Sequence, residues 1–260
     1  MLKTLILAGG LGTRLREETE FKPKPMVEVG GKPIIWHIMK NLSVQGINEF
    51  TIATGYKGDS IKDYFLNYYS RNNDVTVDLG QKSAVIHHGS HEESKWKVTI
   101  ANTGELTMTG GRVYRSLKYL DGERFLCTYG DGLANVNIEE LIKFHMAHGK
   151  KATVTTVQPL SRFGVMDVDQ NGVVTQFREK PVMDGWVNAG FFIFEGDIGE
   201  YLDSECVLEQ DPLARLAQEG ELAAYRHHGF WQPMDTLRES VFLNELWATG
   251  NAPWKNWDQN

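Results

Sequence analysis

Between residues 7 and 15 the chain reads Leu7-Ala8-Gly9-Gly10-Leu11-Gly12-Thr13-Arg14-Leu15. Glycine lets a backbone take positive φ and approach a ligand with no Cβ in the way. Successive exposed N–H groups in such a turn form a cradle for phosphate oxygens. Arg14 closes the loop, and a second basic segment follows, Lys22-Pro23-Lys24-Pro25-Met26. The prolines fix φ on both sides of Lys24 and push the lysines before them toward extended backbone. Lys24 is thereby an aimed point charge. Two common phosphate loops are excluded. The P-loop needs Gly-Lys followed by Ser or Thr, which never occurs here, and the dinucleotide fingerprint needs a third glycine where Leu15 stands. A bare strand-to-helix turn competes for the glycines, and a solvated basic loop competes for the lysines. Glycine loop, arginine and braced lysine in one short stretch together favour a phosphorylated ligand.

Histidines offer a different chemistry. His87, His88 and His91 cluster, and His145 and His148 are spaced i, i+3, which can hold a metal. No cysteine or carboxylate pattern completes either set, so solvated histidines are the expectation, and the same holds for His227-His228. Trp231, Trp247, Trp254 and Trp257 crowd the C-terminus. Packing or a subunit interface is expected of them rather than base stacking.

The elements that must position these groups alternate in type. Apolar runs predict strands over 5–8, 50–53, 75–77, 97–100, 125–129, 152–157 and 188–194. Helical spacing predicts helices over 34–42, 112–120, 138–148, 213–218 and 237–247, with another around 61–68 capped by Asp59 or Ser60. Gly149 is placed to stop one of them. Asn171-Gly172 signals a two-residue hairpin turn between strands 164–169 and 173–177. The order is that of an α/β fold, mainly parallel early and antiparallel late.

Composition bounds the partners. The 260 residues carry 27 Lys and Arg against 34 Asp and Glu, a net charge of −7. An acidic chain without a basic run argues against nucleic acid as the main partner. Only two cysteines occur, Cys127 in an apolar strand and Cys206 far away, which argues against a disulfide framework. No apolar run approaches ~20 residues, so no membrane span is expected. The short stretch before Gly9 is no signal h-region, so a cytoplasmic protein is expected.

The motifs together resemble the sugar-1-phosphate nucleotidylyltransferases. The resemblance rests on Gly9 to Leu15, Pro23-Lys24-Pro25-Met26, Tyr129-Gly130-Asp131, Phe163-Gly164-Val165, Phe177-Arg178-Glu179-Lys180-Pro181 and Asn188-Ala189-Gly190-Phe191. It runs from about Leu2 to beyond Asp235. It implies a Rossmann-like three-layer fold, with a central mostly parallel mixed sheet, helices on both faces and a small antiparallel extension. It implies one domain over 1–260, with a polar insertion at about 74–103 used in oligomer and nucleotide contacts. Thr107-Met108-Thr109-Gly110-Gly111-Arg112, Gly229-Phe230-Trp231-Gln232-Pro233-Met234-Asp235-Thr236 and Ala252-Pro253-Trp254-Lys255 resemble the CTP-using branch. The Gln-rich base-binding segment of the thymidylyl and uridylyl branches is missing.

By resemblance, CTP and glucose 1-phosphate are the substrates, and CDP-glucose and pyrophosphate the products. The sugar phosphate attacks the α-phosphorus in line. Leu7 to Thr13 and Gly130 would hold the nucleotide, with Thr109, Gly110 and Gly111 around base and ribose. Arg14 and Lys24 would be catalytic. Gly164, Glu179, Lys180 and Asn188 would take the sugar phosphate. Asp131 and Asp235 would hold Mg²⁺, which is bound by one or two carboxylates plus phosphate oxygens and waters. A homo-oligomer, trimer or hexamer, and a role in deoxysugar, O-antigen or lipopolysaccharide synthesis also follow from the resemblance. UTP or dTTP in place of CTP is the nearest alternative, and a non-catalytic nucleotide-sugar binding module is the other. Asp131 as a turn residue, Asp235 as a helix N-cap, Glu179-Lys180 as a surface ion pair and Asn188 as a backbone partner are the competing structural roles.

Overall fold

The computed structural model describes residues 2–80, 84–89, 92–161 and 163–257. Strand β1 (Lys3–Ala8) runs into the glycine-rich loop and a single turn, α1 (Arg16–Thr19). A small hairpin of β2 (Glu28–Val29) and β3 (Lys32–Pro33) leads to α2 (Ile34–Ser43), β4 (Glu49–Thr54), α3 (Gly58–Leu66) and α4 (Tyr68–Asn72). The ribbon of β5 (Asp74–Asp78) and β6 (Ala84–His88) precedes β7 (Lys97–Asn102), α5 (Thr109–Ser116), β8 (Phe125–Tyr129) and β9 (Gly132–Ala134). After α6 (Ile138–His148) and β10 (Ala152–Val157) comes a second ribbon, β11 (Val165–Val168) with β12 (Val174–Arg178). The chain closes with β13 (Val187–Phe194), α7 (Asp211–Gln218), β14 (Leu222–Arg226), β15 (Trp231–Pro233) and α8 (Leu237–Ala248).

Seven strands form the central sheet in the order β14-β10-β13-β8-β1-β4-β7. All pairs are parallel except the two made by β13. Parallel strands need cover on both faces, and the period of two in their side chains supplies two cores. Ile6, Ile52, Leu126 and Ile193 face α2, α3 and α6. Their neighbours Leu5, Leu7, Ala53, Phe125, Cys127, Phe192 and Phe194 face Val113 of α5 and Leu216 of α7. This is the three-layer α/β architecture with antiparallel additions. Cys127 is a buried free thiol on β8, as its apolar surroundings predict.

Several boundaries differ from the sequence pattern. Helix α3 starts at Gly58, after Lys57 in the left-handed region, with neither Asp59 nor Ser60 as its cap. Helix α5 begins at Thr109 rather than Arg112, taking in two glycines, and 117–119 form a separate 3₁₀ turn. The hairpin turn at Asn171-Gly172 is longer than two residues. The Asp169 carboxylate accepts from the N–H groups of Asn171 and Val173, and this leaves a three-residue loop closed by Asp169 N to Val173 O at 2.9 Å. The stretch 74–103 divides into the exposed β5–β6 ribbon, a short turn at 92–95, and β7, which is an edge strand of the main sheet. The predicted strand over 97–100 is thus β7, part of the central sheet and outside the exposed ribbon. Strand β14 carries little β signal in its Leu-Ala-Ala-Tyr-Arg sequence, which has no β-branched residue. Gly149 does stop α6, at φ 63°, and Asn137 caps its start. No helix among the described residues is long and apolar enough to cross a membrane.

Candidate active site

At the carboxyl ends of β1 and β8, where open α/β sheets bind ligands, lies a cavity of about 530 Å³. Leu7, Ala8, Gly9, Gly10, Leu11, Gly12, Thr13 and Arg14 form one wall. Lys24 and Pro25, the segment 105–109, Arg112, Tyr129, Gly130, Asp131 and Asp235 complete it. Segments far apart in sequence thus meet around one cavity.

Charge converges at one end. Lys24 sits in a 3₁₀ turn between the two prolines, buried to 9% exposure, with Met26 N bonded to Pro23 O at 2.8 Å. Its ammonium donates to Asp131 Oδ2 at 2.6 Å and also to an oxygen of Asp235. Arg14 Nη1 donates to Asp235 Oδ2 at 2.9 Å from an exposed position. Burial pulls the Lys24 pKa down, but the two aspartates outweigh it, so the ammonium lies above the ordinary lysine value. The pairing of β15 with β9 brings the aspartates together. It sets Pro233 opposite Gly132, and Met234 N bonds to Asp131 O at 2.8 Å. Asp235 is not the cap of α8. Thr236 and Glu239 form a capping box there, which leaves the Asp235 carboxylate for cations.

Two carboxylates around one cation suit a hard divalent metal whose other ligands are phosphate oxygens and water. No cluster of three or more His, Cys, Asp or Glu suited to a metal occurs among the described residues. The donor set therefore fits an ion shared with a substrate, and not a closed structural site.

Arg112 ends the Thr107-to-Arg112 motif, and its sequence context assigns it no role. It is 4% exposed. Nη1 donates to Thr54 O (3.0 Å), Thr103 Oγ1 (2.8 Å) and Gly104 O (2.8 Å), and Nη2 to Gly9 O (2.9 Å) and Glu105 O (3.1 Å). Among the described residues no carboxylate pairs with it. Burial, and after it Arg115, hold its pKa below the ordinary arginine value. One guanidinium therefore ties the glycine loop to the 103–105 segment across the end of β4. A Cβ at Gly9 would lie 2.1 Å from Arg112 atoms, so a larger residue there would displace the buried, hydrogen-bonded guanidinium. The sequence signal was an arginine following two glycines on the buried face of a helix.

Of the remaining predicted residues, Gly110, Gly111, Gly164, Glu179, Lys180 and Asn188 are not in the lining of the cavity. Thr109 lines it, but Gly110 and Gly111 are buried beneath, against the loop 203–208. Asn188 reaches the site through Tyr129, donating to its hydroxyl at 3.3 Å. Gly164, Glu179 and Lys180 flank the exposed β11–β12 ribbon. Gly164 packs under the Phe177 ring with Glu179 nearby, and Lys180 takes positive φ beside Glu179 at 3.6 Å.

Among the histidines, His145 is not solvated. It is buried between Thr153 (2.8 Å) and Glu195 (3.0 Å), with His148 on the same Thr153 hydroxyl. His227 is partly buried, its ring nitrogen 3.2 Å from Phe230 O. His87 and His88 partner Ser70 and Thr76 on the exposed ribbon, and His91 lies outside the described residues. Trp247, Trp254 and Trp257 pack around the buried His37. None of them lines the cavity.

Comparison with known proteins gives a consistent set. The family described as nucleotidyl transferase matches residues 3–232. A glucose-1-phosphate cytidylyltransferase of Salmonella typhi is 53% identical over 99% of this chain and 100% of its own length. A probable glucose-1-phosphate cytidylyltransferase of Bacillus subtilis is 44% identical over 98% and 100%. The crystal structure of HddC from Yersinia pseudotuberculosis superimposes with a TM-score of 0.71 at 24% identity, covering 95% of this chain and 100% of that one. That degree of likeness establishes the fold alone.

Proposed function

The chain belongs to the nucleotidyl transferase family, and from that premise we propose that it transfers CMP from CTP to α-D-glucose 1-phosphate, releasing pyrophosphate and CDP-glucose. The observation that carries the reading is the meeting of Arg14, Lys24, Asp131 and Asp235 beside the glycine loop in one cavity, in a chain 53% identical to a cytidylyltransferase along its whole length.

In this reaction a phosphate oxygen of the sugar phosphate forms a bond to the α-phosphorus of CTP, and the bond from that phosphorus to the β-phosphate oxygen breaks. The nucleophile is already anionic, so no strong base is needed. The barrier lies in bringing polyanions together and stabilising developing charge. Backbone N–H groups of Gly9 to Thr13 hold the triphosphate. Lys24, kept protonated by its surroundings, offsets charge at the α-phosphate. Arg14, on the exposed rim, faces the leaving pyrophosphate. Asp131 and Asp235 would hold Mg²⁺, which when bound screens phosphate charge against the carboxylates. Lys180, Glu179, Asn188 and Gly164 take the glucose phosphate. The ribbon that the first two flank stands open to solvent, as residues meeting a second substrate would. Thr109, on the opposite rim, meets the nucleoside.

We take the protein to be cytoplasmic and to act as one domain in a homo-oligomer of three or six chains, with the β5–β6 ribbon as its contact. That ribbon exposes Val75, Val77, Val85 and Ile86. The deciding assay measures pyrophosphate release from glucose 1-phosphate with CTP, UTP, dTTP and ATP in turn. Release fastest with CTP is expected. Preference for another triphosphate would overturn the choice of base, and no release with any would leave a binding module.

A further inference from the structure

The segment 203–209, between Leu202 and α7, has no part in the chemistry above, yet it is built into the site. It is seated on the first turn of α5. A Cβ at Gly110 would lie 2.4 Å from Cys206 Sγ, and one at Gly111 would lie 2.3 Å from Ser204 O. Larger residues at either position would drive the segment away. Two bonds tie it down, Gly111 N to Cys206 O and Leu208 N to Thr109 Oγ1, both at 3.0 Å. The seating delivers Glu209 to the rim of the cavity. One carboxylate oxygen accepts from Thr109 Oγ1 at 2.6 Å and the other from the Tyr129 hydroxyl. The Tyr129 oxygen in turn accepts from Asn188 Nδ2, and Asn188 Oδ1 accepts from Gly190 N at 2.7 Å. The Tyr129 ring lies over Gly190, where a Cβ would come within 2.3 Å of it.

A carboxylate only accepts hydrogen bonds. Both hydroxyls must therefore give their single proton to Glu209. Thr109 also takes the Leu208 N–H, so what it has left for the cavity is a lone pair. Tyr129 is left accepting from Asn188, which fixes the amide with its second N–H unused. We propose that Glu209 is a positioning residue for both substrates, presenting Thr109 as an acceptor on the nucleotide side and Asn188 as a donor on the sugar side. The glycines at 110 and 111 then serve the reaction indirectly, by admitting the segment that carries the carboxylate. This inference rests on the reading of the cavity given under Proposed function.

The test compares KM values for CTP and glucose 1-phosphate in the full-length wild type, Glu209→Ala and Tyr129→Phe. A hydrogen bond lost from a substrate is worth about 1.4 kcal/mol, or roughly tenfold. Glu209→Ala is expected to raise both KM values about tenfold, with the thermal midpoint unchanged because Glu209 is exposed. Tyr129→Phe is expected to raise only the KM for glucose 1-phosphate, and to add nothing in the Glu209→Ala background. Wild-type KM values in Glu209→Ala would overturn the inference, as would equal effects of Tyr129→Phe on both substrates. Should Glu209→Ala destabilise the fold, the one-sided effect of Tyr129→Phe decides. Absence of wild-type turnover would strike the proposed function itself, so the two failures are separable.

Discussion

Lys24 gathers the two aspartates of this site in one contact set. Its ammonium lies between two carboxylates, and prolines on both sides limit where else it can go. Lys24→Ala is expected to lower kcat by at least ~10²-fold, the scale of removing one preorganised charge-stabilising donor, while far-UV circular dichroism stays as in the wild type. Near-normal turnover would sink the assignment. Arg112 makes a different kind of claim. Its five bonds need the planar fork of a guanidinium, and a lysine cannot span them. Arg112→Lys keeps the charge but strands buried carbonyl groups. A loss of about 3 kcal/mol is expected in denaturant unfolding, since each stranded group costs 1–3 kcal/mol, together with a raised KM for CTP. A variant as stable as the wild type would show the clamp to be dispensable.

At the scale of elements, the glycine loop is shaped by the helix that packs behind it. The loop contains glycines with opposite surroundings. A Cβ at Gly9 would overlap the Arg112 guanidinium, whereas one at Gly10 would meet no atom within 4 Å. Gly9→Ala is thus expected to lower the thermal midpoint by several degrees, a scale of roughly 4 °C or more per 2 kcal/mol in a chain of this size. Gly10→Ala should leave the midpoint unchanged, whatever it does to substrate binding. Equal midpoints for the two variants would contradict the account of Arg112. The ribbon of β9 and β15 works at the same scale. Its register places Asp131 beside Asp235 and so assembles the acidic half of the site from two distant segments.

For the whole molecule, the C-terminal tryptophans close one of the two cores around His37. Trp254 is fully buried and donates toward His37 Nδ1 at 3.4 Å, while His37 Nε2 lies 2.7 Å from Val29 O. Burial depresses the His37 pKa to about 4. In the unfolded chain it titrates near 6.5, so between these values the unfolded state binds the extra proton. The contribution is complete above pH 6.5 and is lost as pH falls toward 4, amounting to about 3 kcal/mol. Burial lowers His145 in the same direction. The denaturant midpoint should therefore fall from pH 7 to pH 4, and fall less steeply in His37→Gln. An identical slope in that variant would refute the assignment.

The sequence by itself determined the α/β class, most strands and helices, the phosphate loop, the braced lysine and the family. These are local signals: side-chain periodicity, glycine and proline at fixed spacing, and apolar runs ending in charge. Thus β1, β4, β8 and β10 were legible, and so were Lys24 and Asp131. Only the tertiary structure decided which aspartates share one ammonium, because that depends on strand register between segments far apart. It decided that Gly110 and Gly111 receive the 203–208 segment, and that Arg112 bonds five backbone and hydroxyl groups. It also placed Glu209 between Thr109 and Tyr129. A glycine in sequence states that room is needed but not what fills it, and a buried arginine or exposed glutamate declares no partner until the chain has folded around it.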